Sequence, residues 1–343
     1  MESKKEGLSN GCLWIFLTFI LTVVAFGVIK FAINLPNLIT LFIAILLSLT
    51  LTFKILGKPS IKSILFNVTI LIIVFSGLNY LGGFWNEIIH QNDTAVFTEE
   101  ESVATDTIFE NNNIIPVFTS RRNWKDNYGN PYTGNLTVRQ KDYDRLKNHI
   151  ATFRYGNEPN FWGNLYNYID EKDTPSLDLV MNTFKEIHAE KKLNQMEFAE
   201  MVVSCIQDIP YSFVFQDDCL PADNYEDAIK DILKDCPDCC IGDVLYGVQN
   251  PVSFIKNLKG DCDTRTMLIY SILNYFNYDV AIANSDFYRH SIIGINIAAT
   301  GKNKKYKGKT YMLWETTSKH FKIGVLPATS SDVKHWNIVL TSK

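Results

Sequence analysis

Three long apolar runs dominate the first 85 residues of the chain. They cover Leu13–Ile33, Asn37–Phe53 and about Ile64–Gly82, and they contain almost no charge. Each approaches the roughly 17–25 residues that cross a bilayer as a helix. A cleaved signal peptide would account for one run only, and three buried core helices in succession are rare in soluble domains. The pattern therefore predicts a membrane anchor with three transmembrane helices in residues 1–85.

Lysines flank these runs unevenly. Lys4 and Lys5 precede the first run, and Lys54, Lys58 and Lys62 occupy the loop between the second and the third. Positively charged loops stay on the cytoplasmic side of a membrane. We therefore expect a multi-pass protein of the cell (inner) membrane with a cytoplasmic N-terminus, and a C-terminal domain in the periplasm or another extracytoplasmic space.

Beyond the anchor the apolar runs give way to shorter periodic patterns. Residues 86–107 show no sustained period and are interpreted as a linker, followed by one soluble domain over 108–343. Turn signals at 128–131 and 133–135 indicate short strands around two turns. Apolar residues at helical spacing predict helices over 177–187, 198–206 and 262–276. Runs rich in β-branched and aromatic residues predict strands at Val280–Ala283, Ser291–Ala298, Tyr311–Glu315, Lys322–Val325 and Trp336–Leu340. The predicted fold class is α+β, with the helix from 262 packed on an antiparallel sheet.

Residues 217–243 are strongly acidic, with nine acidic residues against two lysines. The same stretch holds four of the seven cysteines. We interpret this stretch as an insertion with a helix around Tyr225–Leu233. The whole chain has a net charge of −4 and no basic stripe, so no nucleic-acid partner is expected.

The four cysteines of the insertion have three readings. Outside the cytoplasm, disulfides are the simplest use, and spacing alone does not fix their pairing. Zinc is the second reading, because the stretch contains one Cys-x-x-Cys but no second well-spaced pair. Free thiols are the third. The cysteines concerned are Cys219, Cys236, Cys239 and Cys240.

The stretch "KGDCDTRTMLIYSIL" carries the candidate chemistry. It places Cys262 at the start of a helix, where free N–H groups and the helix dipole favour a thiolate. The flanking carboxylates of Asp261 and Asp263 oppose ionisation, so a cation is needed nearby. His290 opens one predicted strand and Glu315 closes the next. On adjacent antiparallel strands these side chains would lie together, giving a nucleophile, a base and an orienting carboxylate.

Several motifs agree with this order. "GDCDTRTMLIYSILNYFNYDVAIA", "FYRHSIIGI", "LWETTSKHFKIGVL" and the upstream "VVSCIQDIPYSF" resemble the nucleophile, histidine, acid and Gln-x-Ile-Pro-Tyr segments of the transglutaminase-like superfamily. The resemblance covers about residues 176–330 and implies a papain/transglutaminase-like domain. One departure is the third member of the triad, which is Glu315 in Glu-Thr-Thr where the family has Asp in an Asp-Pro-Thr-like setting.

The resemblance implies a thioester mechanism on amide bonds. Cys262 would be the nucleophile, His290 the base and Glu315 the residue that holds the ring, with no cofactor. The backbone N–H of Cys262 would stabilise the oxyanion, and Gln207 is a candidate second donor, with a backbone-capping amide as the alternative. Hydrolysis of a peptide or protein substrate is the favoured reading. Amine transfer with protein crosslinking, and a non-catalytic scaffold that binds peptide or glycan, are the two alternatives.

Overall fold

The chain divides into two compact units, Met1–Ile89 and His90–Lys343. The computed structural model describes residues 6–33, 37–57, 102–156 and 159–342. Each unit is described by itself below, and the predicted catalytic residues all belong to the second.

Among the described residues of the first unit, two helices pack against each other, α1 (Glu6–Ile33) and α2 (Asn37–Leu56). Polar groups contribute to this contact. The hydroxyl of Thr18 donates to that of Thr52 at 3.1 Å, and the indole of Trp14 donates to the carbonyl of Gly57 at 3.2 Å. The first two apolar runs of the sequence therefore form a helix pair.

The prediction of three transmembrane helices is wrong for the described residues. Within 6–33, 37–57, 102–156 and 159–342, no helix combines the length and the apolar character that a membrane span requires. An apolar helix can be buried in protein or in lipid, and the sequence pattern did not separate these cases. The predicted multi-pass location in the inner membrane rested on this anchor, so it is wrong for the described residues as well. The third predicted run, about Ile64–Gly82, lies outside the described residues.

The second unit is a mixed α and β structure. Its helices are α3 (Gln140–Leu146), α4 (Phe161–Asp173), α5 (Asp178–Lys191), α6 (Gln195–Gln207), α7 (Asp227–Asp235), α8 (Pro251–Asn257) and α9 (Cys262–Tyr275). Its strands are β1 (Ala104–Glu110), β2 (Asn113–Lys125), β3 (Pro131–Arg139), β4 (Phe213–Val214), β5 (Cys240–Ile241), β6 (Val280–Ser285), β7 (His290–Ile295), β8 (Asn303–Tyr306), β9 (Lys309–Trp314) and β10 (Asn337–Thr341). Short 3₁₀ turns connect several of these elements.

The strands form three sheets. One sheet has the order β1-β2-β3 and is antiparallel, and the largest has the order β10-β6-β7-β9-β8 and is also antiparallel. The third is a parallel pair of β4 and β5. Helix α9 packs on β7 and β6 and touches α6 and α8. One large core lies between this helix and the sheet, and a smaller one lies around Trp336.

Helix α9 is buried over most of its surface, and this includes polar residues such as Thr264, Thr266 and Ser271 as well as its apolar stripe. Leu268, Ile269, Ile272 and Leu273 have no measurable exposure, and Asp263 is the exception in the first turn. A helix of this kind belongs in the interior of a domain. Its buried position fixes the site of Cys262, the first residue of the helix.

Three sequence predictions differ from the structure at element boundaries. Lys322–Val325 is a turn and not a strand, since Gly324 adopts a positive φ of 80° and its N–H and C=O bond to Leu313 and Lys302. The turn predicted at 133–135 lies inside strand β3. Strand β1 starts at Ala104, inside the predicted linker 86–107, of which residues 86–101 lie outside the described part of the chain.

Candidate active site

The first turn of α9 is fixed by its capping residue. Asp261 has extended backbone angles, and its Oδ1 accepts a hydrogen bond from the N–H of Thr264 at 3.1 Å. A short acidic side chain in this position satisfies one of the free N–H groups of the helix start. The cap places Cys262 at the first helical position, where its side chain is only 7% exposed.

Arg265 links the first turns of α9 to three backbone carbonyls. Its Nε donates to the carbonyl of Gly260 at 3.0 Å, its Nη1 to that of Ile206 at 2.8 Å and its Nη2 to that of Ile209 at 2.5 Å. The guanidinium is fully buried and lies 5.6 Å from the ring centre of Tyr211. Burial lowers the pKa of Arg265 to about 10, so the group remains a cation at neutral pH. It ties the start of α9 to the end of α6.

His290 and Glu315 form the centre of the site. His290 begins β7 and Glu315 directly follows β9, the neighbouring strand. The imidazole Nε2 lies 3.1 Å from Oε1 and 3.0 Å from Oε2 of the carboxylate. The Glu315 side chain is 2% exposed and the His290 side chain 19%. The structure therefore brings together the two residues that the strand pattern predicted to be neighbours.

The Glu315 carboxylate is also bound by the segment that follows it. Its Oε1 accepts from the N–H of Thr316 and the N–H of Thr317 at 2.9 Å each, and from the Thr317 hydroxyl at 2.7 Å. Burial raises the pKa of Glu315, but the charge and hydrogen bond of His290, together with Thr317, outweigh it and lower the pKa to about 2. The carboxylate is therefore ionised throughout the physiological range.

The charge of Glu315 acts in turn on the imidazole. Burial lowers the pKa of His290, but the nearby Glu315 carboxylate, with smaller contributions from Asp263 and Asp261, raises it above its usual value. Since Nε2 faces Glu315, Nδ1 is the ring nitrogen left to exchange a proton with another group.

Cys262 lies beside β7 because α9 packs on that strand. The Thr266 hydroxyl, one turn further along α9, is 3.3 Å from the Ser291 carbonyl and 3.0 Å from the Thr316 hydroxyl. The thiol itself donates to Oδ2 of Asp263 at 3.8 Å. Its contacts do not include a hydrogen bond to His290.

The resting thiol is protonated at neutral pH. Burial raises the pKa of Cys262 above its ordinary value, and the charges of Asp263 and Asp261 raise it further, whereas a backbone hydrogen bond from Ser291 lowers it. The carboxylates of Asp261 and Asp263 thus oppose ionisation of the thiol, as their positions in the sequence predicted. Any activation of this thiol needs a base that takes its proton during the reaction.

A chain of hydrogen bonds from the far side of the site reaches the carboxylate of Asp263. The Tyr166 hydroxyl donates to Oδ1 of Asp263 at 2.5 Å and accepts from the amide of Asn284 at 2.9 Å, and the Ser291 hydroxyl donates to that amide's oxygen at 2.9 Å. Tyr166 is fully buried on α4. The chain fixes Asp263 next to the thiol.

These supporting residues are absent from the sequence prediction. Tyr166 precedes Asp263 by 97 positions, and nothing in its local pattern marks it. Arg265 carried one signal: it is a charged residue two positions before the apolar run Met267–Ile269 of a helix that was predicted to be buried. Such a residue needs buried partners, and here they are backbone carbonyls.

The prediction of Gln207 as an oxyanion donor is not supported by its contacts. Its Nε2 donates to the carbonyl of Glu315 at 2.7 Å and to that of Phe321 at 3.1 Å. Both hydrogens of the amide are engaged in this way, so Gln207 is the backbone-capping amide that stood as the alternative. It holds the segment after β9 against the end of α6.

The cysteines of the insertion pair as Cys219–Cys240 and Cys236–Cys239. Cys205 and Cys262 are the cysteines with described side chains that lie outside these disulfides, and both are buried. Across the described residues, no three His, Cys, Asp or Glu side chains converge as metal ligands would. The structure thus favours the disulfide reading over the zinc reading for this stretch.

Comparisons with known proteins add no relative to this picture. No protein-family model matches the chain, and neither the curated proteins nor the solved structures contain a significant match. The transglutaminase-like resemblance therefore stays a prediction that rests on the motifs of the sequence.

Proposed function

We propose that the second unit is a cysteine enzyme that hydrolyses amide bonds, with Cys262 as nucleophile, His290 as base and Glu315 as the residue that orients the base. One observation carries the proposal. The imidazole of His290 is fixed by a buried carboxylate through Nε2, on the strand against which the helix beginning with Cys262 is packed. A nucleophile, a base and an orienting acid on converging elements are the common arrangement of acyl-transfer enzymes.

The first half-reaction transfers the acyl group to the enzyme. The Sγ–H bond of Cys262 breaks, its proton passes to Nδ1 of His290, and sulfur forms a bond to the carbonyl carbon of the amide. The oxyanion that results lies at the start of α9, where the N–H of Cys262 is a donor. The C–N bond then breaks as the leaving nitrogen takes the proton from Nδ1, and a thioester remains.

Water completes the cycle. It gives a proton to Nδ1 of His290 while its oxygen adds to the thioester carbonyl. The C–S bond breaks, sulfur recovers the proton, and a carboxylic acid and the free thiol are released. An amine in place of water would give a new amide, so the same site would then act as a transferase.

A second candidate function is a scaffold that binds peptide or glycan without chemistry. The observation that favours it is the resting state of the thiol, whose pKa is raised and which bonds to Asp263 and not to His290. In the enzyme, Sγ must leave this contact before it can attack.

Alkylation of the thiol distinguishes the two. The full chain is treated with iodoacetamide between pH 5 and 9, and the modified cysteine is identified by peptide mass spectrometry in wild type and His290→Ala. If His290 acts as a base, the alkylation rate of Cys262 at pH 7.5 falls at least about 100-fold in the variant, at the low end of general-base effects. Buried Cys205 serves as the internal control. Equal, slow alkylation of Cys262 in both proteins would favour the scaffold.

A further inference from the structure

A row of aromatic side chains leads away from the candidate nucleophile. Tyr211, Phe213 and Phe215 occupy alternate positions of an extended segment and are partly exposed, whereas Ser212 and Val214 between them are buried. Alternate residues of an extended chain point to opposite sides, and the solvent side is usually polar. Three successive aromatic residues on the outer side are therefore a feature that needs a partner.

The row is continuous and extends into the acidic stretch. Ring centres are separated by 5.3 Å from Tyr211 to Phe213, by 5.7 Å from Phe213 to Phe215, and by 5.0 Å from Phe215 to Tyr225. The last two pairs are stacked with interplanar angles of 7° and 14°. We call these four residues the aromatic row.

The inner end of the row lies at the active site. Tyr211 forms a β-bridge with Gly260, two residues before Cys262, and its ring covers the Arg265 guanidinium. A ligand that lies along the row would therefore extend towards the thiol.

Exposed carboxylates surround the outer end of the row. All nine acidic residues of 217–243 are exposed. Asp217 and Asp218 follow Phe215 after one residue, and the Asp243 side chain shares a hydrogen bond with Asp218 that raises the pKa of Asp243. Within the described chain none of these three aspartates forms an ion pair, whereas Asp223 is paired with Lys230 at 2.9 Å.

Covalent and backbone links hold the carboxylates around the row. The N–H groups of Phe213 and Phe215 bond to the carbonyls of Cys239 and Ile241 at 2.9 Å and 2.8 Å. The Cys219–Cys240 disulfide fastens the segment after Phe215 to the same strand, and the N–H of Val244 bonds to the carbonyl of Phe215 at 3.0 Å. The aromatic row and the acidic rim are thus one assembled surface.

We propose that the aromatic row, with the rim of Asp217, Asp218 and Asp243, binds the basic segment of a peptide substrate. The apolar stems of lysine and arginine side chains pack against aromatic rings, while their charged ends bond to nearby carboxylates. An extended peptide places side chains of one face about 6.6 Å apart, close to the ring spacings of the row. The proposal deepens the proposed function, on which it rests, by naming a Lys- or Arg-bearing peptide as the substrate class.

Binding is measured without turnover in full-length Cys262→Ala. The probes are two fluorescein-labelled decapeptides, one of alternating Lys and Ala and one of alternating Glu and Ala, followed by fluorescence anisotropy. We expect the Lys peptide to bind at least about 10-fold more tightly than the Glu peptide, and to weaken as salt is added. Equal binding of the two peptides, or tighter binding of the Glu peptide, would overturn the proposal.

Two pairs of substitutions locate the binding. Phe213→Leu with Phe215→Leu removes the aromatic rings against which the basic side chains pack, and Asp217→Asn with Asp218→Asn removes two charges while keeping the side-chain size. Each pair should weaken binding of the Lys peptide about 5- to 10-fold, as expected from the loss of two packing or ionic contacts. The charge pair lies on exposed residues, so it keeps the test valid if the aromatic pair disturbs folding.

Matched controls carry the same changes elsewhere. Phe109→Leu with Tyr275→Leu alters two aromatic residues that are 75% and 52% exposed, and Glu186→Gln with Glu190→Gln removes two exposed charges of α5. Both controls should leave binding unchanged. If they weaken binding as much as the row and rim variants do, the effect is one of net charge or surface apolarity, and the proposal fails.

The two proposals fail separately. If Cys262→Ala prefers the Lys peptide but Cys262 of the wild type alkylates independently of His290, the binding surface is supported and the enzyme proposal fails. If alkylation of Cys262 depends on His290 but Cys262→Ala does not prefer the Lys peptide, the enzyme proposal stands and this substrate class is excluded.

Discussion

Two parts of the second unit are built in contrasting ways. On one side, where α9 packs on the five-stranded sheet and on α6, Arg265 and Glu315 are buried and each of them forms at least three hydrogen bonds. On the other side, residues 217–243 are mostly exposed, and among their described side chains Leu233 is the one buried apolar group. Two disulfides take the place of a core there.

This contrast separates positioning from recognition. Proton transfer needs groups that are held to fractions of an ångström, and a buried, fully bonded polar network provides that. Binding of a basic peptide needs accessible charge and aromatic area, which a core cannot offer. Changes on the buried side should therefore affect stability and thiol chemistry, and changes on the exposed side should affect ligand binding.

The largest effect is expected for Arg265→Met. The substitution removes a charged donor from the carbonyls of Gly260, Ile206 and Ile209 in a buried site. The first two keep a backbone donor, the N–H of Ser212 and of Ile209 respectively, so each bond lost there costs about 0.5–1.5 kcal/mol, whereas the orphaned Ile209 carbonyl costs about 1–3 kcal/mol. The free energy of unfolding should therefore fall by about 2–6 kcal/mol. Urea unfolding monitored by near-UV circular dichroism measures the loss.

Arg289→Met is the matched control for this substitution. Arg289 forms an ion pair with Glu226, but its side chain is 72% exposed, and exposed pairs contribute at most about 1 kcal/mol. Arg265→Lys, which keeps the charge but cannot reach three carbonyls, should fall between the two. Equal losses in all three variants would contradict the proposed division between the two sides.

The next largest effect is a difference in stabilisation between the two disulfides of the exposed side. Cys219→Ser with Cys240→Ser opens a link of sequence separation 21, and Cys236→Ser with Cys239→Ser opens one of separation 3. Chain entropy gives about 3 kcal/mol for the longer loop and about 1.5 kcal/mol for the shorter. Hydrogen exchange of residues 213–241 should accelerate more in the first variant than in the second.

His290-dependent alkylation of Cys262 should be unchanged in both disulfide variants, since the buried side does not depend on these links. Loss of that alkylation would show that the insertion also positions the catalytic groups. Equal acceleration of exchange in the two variants would mean that loop length is not what holds the segment.

The buried side was also the more predictable from sequence, but only for its strands and its helix. Strand alternation was enough to place His290 beside Glu315, because neighbouring strands fix which side chains meet. Two of the three partners of Arg265 lie 56 and 59 positions away, and all three are backbone carbonyls, which no residue pattern encodes. Gln207 was recognised as important, but its two carbonyl acceptors depend on how the segment after β9 turns.

The errors have a common physical origin. Hydropathy measures how strongly a run avoids water and not what buries it, so the apolar N-terminal runs predicted membrane spans that the described helices do not provide. Residues 322–325 have the composition of a strand, but Gly324 has a positive φ, which composition cannot reveal. The aromatic row was missed because Tyr211, Phe213 and Phe215 have strand-like spacing that is usually the mark of a buried face.

The third prediction is that Glu315→Gln changes the pH dependence of the alkylation rate of Cys262. The Glu315 charge raises the pKa of His290 against the effect of burial, so without that charge the pKa should fall, by about 1 unit or more. A base must be neutral to accept a proton, and the alkylation rate therefore rises with pH through the pKa of His290. In Glu315→Gln this rise should occur at lower pH.

The plateau of the rate should also fall in Glu315→Gln. The amide can donate to Nε2, which moves the ring proton to Nδ1, the nitrogen that has to accept the proton of Cys262. Rate–pH profiles of iodoacetamide alkylation give both quantities, and the NMR titration of the labelled ring gives the pKa directly. A midpoint that stays in place or moves to higher pH would refute the assigned role of Glu315.

The smallest effect is expected for Thr317→Val, which removes one hydroxyl donor, at 2.7 Å, from the Glu315 carboxylate. The lowered pKa of Glu315 stabilises the fold above its ordinary value of 4.5, and this stabilisation is lost as the pH falls through about 2. Losing one of several donors should reduce the free energy of unfolding by about 1 kcal/mol at pH 7. The folded-state pKa of Glu315 should rise in the variant, so its stability is lost at higher pH than in wild type.

Thr133→Val provides the control for this last substitution, because its hydroxyl donates at 2.8 Å to the neutral amide of Asn123. Urea unfolding at pH 7, 4 and 2 should give a difference from wild type that shrinks with acid for Thr317→Val and stays constant for Thr133→Val. A Thr317→Val difference that does not change between pH 7 and 2 would mean that the hydroxyl stabilises the turn by itself and not through the charge of Glu315. The orienting carboxylate would then be held by the two backbone N–H groups of Thr316 and Thr317 and by His290.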